Sequence, residues 1–66
     1  METNAPFKAR YRLTAPGQFR RIHDLSLSKE TIVTILRIDA AEVTLDVHQP
    51  DKFSVPGLEF VEKVAD

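Results

Sequence analysis

The chain has no cysteine and only two glycines in 66 residues. Without cysteine there can be no disulfide staple and no thiolate metal ligand. Gly17 and Gly57 alone cannot build a phosphate-cradling loop. Charge of one sign is also missing: nine Lys and Arg stand against ten Asp and Glu, a net charge of −1. Binding a polyanion through overall charge is therefore disfavoured, and only a local patch could serve. No apolar run approaches the ~20 residues of a membrane span, and METNAPFKAR lacks a signal-peptide core. A soluble cytoplasmic protein is the expectation. Finally, no segment keeps a 3.6-residue apolar period over ten residues, so no α-helix is expected.

What the chain does have is period-two alternation. Phe7, Ala9, Tyr11 and Leu13 alternate with Lys8, Arg10 and Arg12, the pattern of a half-buried strand. Thr14–Gln18 contains Pro16-Gly17, a turn pair, and Thr14–His23 reads as a loop or ragged hairpin outside the core. Leu25 and Leu27 alternate with Ser26 and Ser28, and Lys29-Glu30-Thr31 makes a polar corner. Ile32–Leu36 is a β-branched run. A turn around Asp39 then leads into Val43, Leu45 and Val47, which alternate with polar neighbours. After a turn at Pro50-Asp51, Phe53–Val55 and Val61–Val64 read as short strands separated by Pro56-Gly57.

Residues 1–6 are expected to form a tail and residues 7–66 one all-β domain, a small five-stranded barrel whose closure protects its edges. The expected core is Ala9, Leu25, Leu27, Ile32, Ile35, Val43, Leu45, Val47, Val55 and Val61. A domain this short buries only about 60% of the surface its unfolded chain exposes.

Three blocks carry a resemblance to the Src homology 3 domain, a five-stranded barrel. They are Ala9–Leu13 (ARYRL), His23–Leu36 (HDLSLSKETIVTIL) and Val55–Val61 (VPGLEFV). The resemblance implies a groove for proline-rich peptides, onto which Tyr11, Leu13, Pro56 and Phe60 map. The departures imply that this groove is impaired. Leu13 replaces an aromatic, and the family's tryptophan falls near Glu42 in a chain without tryptophan. The loop that is usually acidic carries Arg20 and Arg21. A partner protein, or another domain of the same chain, is then the implied ligand, with the module monomeric. From Phe19 to Val64 the chain also resembles the carbon-storage-regulator family of dimeric RNA-binding proteins, through Phe19–Ile22 and Val43–Pro50. That alternative implies RNA binding.

Read from the residues themselves, Arg20 and Arg21, with Arg10 and Arg12 nearby, could hold phosphate of RNA or lipid head groups, or a carboxylate-rich partner. Against this stands a solvated loop whose arginines pair with Asp24, Asp39 or Glu42. Tyr11, Leu13, Pro56 and Phe60 could form an exposed apolar binding patch or simply cap the barrel end. His23 and His48 have no accompanying ligand set, so neither metal nor cofactor is expected. No nucleophile–base pairing is visible, and the serines at 26, 28 and 54 are ordinary for strands and turns. Catalysis is not expected.

Overall fold

The computed structural model describes residues 5–64. Residues 1–4 of the expected tail lie outside them. Four strands and one helix follow in the order β1 (Phe7–Arg12), α1 (Gln18–Ser26), β2 (Val33–Asp39), β3 (Glu42–Val47) and β4 (Glu59–Lys63). The strands form one antiparallel sheet in the order β2-β3-β1-β4. The domain is thus β-rich, as its alternation requires. Among the described residues, however, the sheet is open and four-stranded, with β2 and β4 at its edges, and no barrel closes.

The main correction is α1. It replaces the loop expected over Thr14–His23 and the strand expected at Leu25–Leu27. Gln18, Ile22 and Leu25 are spaced i, i+4 and i+7, so one helical face collects all three. Ile22 and Gln18 are buried there, and Leu25 packs against the core. The helix has nine residues, too few for a ten-residue periodicity to show. The same Leu25 and Leu27 fit an alternating strand, which is why the two patterns compete. The Leu27 amide donates to His23 O and Asp24 O, both at 3.2 Å, and the Ser26 hydroxyl donates to His23 O at 2.7 Å. These bonds close the last turn and leave the Leu27 side chain 70% exposed.

The core consists of Ile22, Ile32, Val33, Val43, Leu45 and Val47, with Ala9 also buried. Five of the expected core residues are therefore buried: Ala9, Ile32, Val43, Leu45 and Val47. Ile35 and Val55 are partly buried against this cluster, and Val61 is half-buried. Ile22 and Val33 were not expected, and Leu27 does not belong. Phe53–Val55 is not a strand, although the turns at Ala15–Gly17 and Pro56-Gly57 fall where expected.

A bulge in β2 resets the alternation. Ile35 pairs with Leu45, then Arg37 pairs with Thr44 and Ile38 with Val43. Cross-strand partners share a face, so the extra residue, Leu36, turns Ile38 onto the helix-bearing side.

The loop into α1 is tied to the Pro56-Gly57 turn by a polar clamp. Gln18, only 7% exposed, accepts from Thr14 N (2.7 Å) and Ala15 N (3.2 Å) through Oε1. Its Nε2 donates to Pro56 O at 2.7 Å. The Thr14 hydroxyl has one proton, and its shorter contact is with Gly57 O at 2.6 Å, against 3.3 Å for Gln18 Oε1. Gly57 has φ +80°, and a Cβ there would stand 3.2 Å from Gln18 Nε2. Gly57→Ala is therefore expected to cost about 1–2 kcal/mol through left-handed strain plus crowding of the clamp. Thermal melts check this, and an unchanged midpoint would show that the turn relaxes freely.

Candidate functional site

Each side of the sheet carries a different chemistry. On the side away from α1, β1 projects Lys8, Arg10 and Arg12 between acidic neighbours on β3 and β4. Arg10 reaches Glu42 and Glu62, both at 3.3 Å, and Arg12 reaches Glu42 at 3.6 Å and Glu59 at 3.2 Å. These guanidinium groups are thus held by carboxylates. They also stand on the opposite side of the sheet from Arg20 and Arg21, which α1 carries. The four arginines do not gather into one patch.

On the side facing α1, one row crosses all four strands. Ile38 pairs with Val43, Val43 with Tyr11, and Tyr11 with Phe60. The middle of the row is covered, while its ends, Ile38 at 56% and Phe60 at 54%, are exposed. The Tyr11 ring meets Phe60 edge-on at 5.8 Å and Phe53 at 5.9 Å. Such aromatic geometry is worth about 0.5–1.5 kcal/mol per pair beyond area burial. Of the four groove positions the sequence suggests, Tyr11 and Phe60 are in contact. Leu13 packs against the core, and its amide donates to Ala41 O at 2.8 Å. Pro56 lies elsewhere, in an open hollow of about 320 Å³ shared with Pro16, Gly17, Gln18, Val55 and Arg21.

That hollow joins Pro56 and Arg21, which the sequence alone places in different candidate sites. It sits at the start of α1, where free backbone N–H groups favour negative charge. No acidic residue occupies the first turn. Arg20 points elsewhere and pairs with Asp24 at 3.6 Å.

Two contributors carry no local signal in the sequence. Ile38 was hidden because only the bulge at Leu36 places it beside Val43. Phe53 falls in a segment whose pattern suggests a strand, and nothing local signals that its ring lies tilted by 49° against Tyr11. A third arrangement is Thr34 Oγ1 at 2.8 Å from His48 Nε2, with His48 Nδ1 3.9 Å from Asp46. The last distance exceeds hydrogen-bond reach, so no carboxylate orients the imidazole as an activated hydroxyl requires. Thr34 and Asp46 are direct cross-strand partners, and the trio is read as cross-strand packing. Among the described residues no cluster of three or more His, Asp or Glu could hold a metal ion, and no helix is long and apolar enough to cross a membrane.

Burial pushes the Tyr11 phenol above its ordinary pKa of 10.0. Lys52 is raised above 10.5 by its 2.7 Å hydrogen bond to Glu30 and by that carboxylate's charge. Both folded values exceed the unfolded ones, so each contribution is complete below the unfolded pKa and disappears as pH climbs through the folded one. Stability is expected to fall above about pH 10, and Tyr11→Phe should flatten that decline. Denaturant titrations across the alkaline range measure it; parallel curves for the two proteins would refute Tyr11's share.

Comparison with protein-family models, with curated proteins and with solved structures finds no match in any of the three.

Proposed function

We propose that the chain is a non-catalytic interaction module, monomeric on its own, that binds a protein partner at the Tyr11–Phe60 end of its sheet. The observation that carries this reading is Phe60, a large apolar ring 54% exposed and held edge-on by Tyr11. Phe60 is the exposed end of an aromatic cluster with the partly buried Tyr11 and Phe53, and it is this continuity from core to surface that suggests a contact surface. Of the Src homology 3 resemblance, only the Tyr11–Phe60 pair enters the reading. A proline-peptide groove gains no support, because Pro56 stands apart in the hollow by α1 and no tryptophan exists to wall it.

A second reading is recognition of an anionic ligand, such as RNA phosphate or a lipid head group, at Arg21. The shared hollow at the start of α1 favours it. Arg20, tied to Asp24, would assist only by giving up that pair.

Panning a random peptide library against the whole chain separates the two. Clones that lose binding on Phe60→Ser but tolerate Arg20→Glu/Arg21→Glu are the expected majority. The opposite sensitivity, with affinity falling steeply as salt is added, would replace the first reading by the second. Proline-rich clones that saturate at Tyr11 and Phe60 would restore the proline groove. Circular dichroism confirms that each variant is folded.

A further inference from the structure

We infer that the open edge β4 accepts an added strand from a partner, an extended segment whose residues run basic–apolar–basic. This rests on the binding-face reading above and specifies its partner. Among the described residues β4 is hydrogen-bonded on one side only, to β1. At the other edge α1 packs against β2, which leaves β4 the more open border. The Val64 amide donates to Lys8 O at 3.0 Å. By the alternation of an antiparallel ladder, the backbone groups of Lys63 therefore face away from β1. An unpaired row of this kind is a ready template for another strand.

The side chains define which strand. Glu59 and Glu62 lie on the charged side of the sheet, and Phe60 lies on the apolar side. β1 already supplies the complement to this pattern, since Arg12, Tyr11 and Arg10 stand opposite Glu59, Phe60 and Glu62. Three carboxylates, Glu42, Glu59 and Glu62, share the two guanidinium groups of Arg10 and Arg12. The Glu59 and Glu62 side chains remain 53% and 57% exposed. Across the sheet the columns run acidic on β3, basic on β1 and acidic on β4, so the next column outward is basic. A segment that repeats the pattern of β1 would bring cations to Glu59 and Glu62 and an apolar residue to Phe60 in one register. Such steering by charge sets both partner choice and orientation.

The test uses a capped hexapeptide with β1's own sequence, Phe-Lys-Ala-Arg-Tyr-Arg, and a control with its three basic residues changed to glutamate. Both are titrated into the whole chain and followed by amide shifts and hydrogen exchange. Saturable shifts confined to Glu59–Lys63 and Tyr11 are expected for the basic peptide. At saturation the Lys63 amide should exchange on the order of tenfold more slowly. The control should not bind, and Glu59→Lys/Glu62→Lys should reverse the preference. Glu62→Gln, which keeps the side chain's shape, should weaken the basic peptide if the double variant proves unfolded. Equal binding of both peptides, or shifts on β3 from exchange with the native β1, would overturn the inference. Binding at Phe60 that leaves Lys63 unprotected would defeat strand addition while the interaction face stands. Self-association through β4 in the absence of peptide would make a second copy, not a basic partner, the occupant.

Discussion

Ile22→Ala is expected to cost about 2–5 kcal/mol and to leave much of the chain unfolded at room temperature. Ile22 is fully buried and belongs to the same cluster as Val33, Val43, Leu45 and Val47. It is the fully buried apolar side chain that α1 contributes. A domain of this size has roughly 3–10 kcal/mol of stability in all, so losing one such contact consumes a large share. The informative companion is Leu27→Ala. With Leu27 mostly exposed, its truncation should change stability by no more than about 0.5 kcal/mol. Urea denaturation followed by circular dichroism measures both. If Leu27→Ala proved as damaging as Ile22→Ala, Leu25–Leu27 would pack as the strand their alternation suggests, and the C-terminal turn of α1 would be wrong.

The second large effect is at Gln18. Gln18→Leu keeps the size and adds apolar character at a buried position, yet it should destabilise by about 1–3 kcal/mol. The amides of Thr14 and Ala15 lose their acceptor and Pro56 O loses its donor. Gln18→Glu separates these contributions. Its carboxylate still accepts from the two amides but faces the Pro56 carbonyl without a proton to offer. The two amides favour the charged form, while burial and the Pro56 carbonyl favour the protonated one. Where the latter outweigh the former, the introduced carboxyl titrates above its unfolded value. The variant should then gain stability as pH falls through the folded pKa, relative to wild type. A pH-independent difference would mean that the amides of Thr14 and Ala15 offset burial and the Pro56 carbonyl in full. The clamp also fixes the hollow that holds Pro56 and Arg21, so loss of the clamp should disperse any ligand that depends on that hollow.

The part of the site legible in the alternation itself is Tyr11, whose inward face on the first strand follows from its neighbours Lys8, Arg10 and Arg12. Phe60 lies ahead of the strand expected at Val61–Val64, and β4 starts at Glu59. Tyr11, Leu13, Pro56 and Phe60 all map to one groove through the Src homology 3 resemblance, and the sheet puts Tyr11 and Phe60 in contact. The grouping of Arg10 and Arg12 with Arg20 and Arg21 failed for a topological reason. Alternation along β1 sends its arginines to one side of the sheet, while Ile22 draws α1 to the other. Leu13 and Pro56 were mapped by resemblance to a groove; one packs into the core and the other is held across a turn by Gln18.

By itself the amino-acid sequence determined the faces of β1 and β3, because an alternating chain has only one way to hide Ala9, Val43, Leu45 and Val47 while wetting its charges. It also determined where the chain turns at Pro16-Gly17, Pro50-Asp51 and Pro56-Gly57, whereas the turn expected around Asp39 falls at Ala40-Ala41 because β2 continues through Asp39. Only the tertiary structure decided that residues 18–26 coil instead of extending. The local preference there is nearly balanced, and burying Ile22 against the sheet while Gln18 saturates two loops tips it toward the helix. The same holds for Ile38 and for the open border of β4. A bulge and a missing neighbour are properties of strands set side by side, and no single segment contains them.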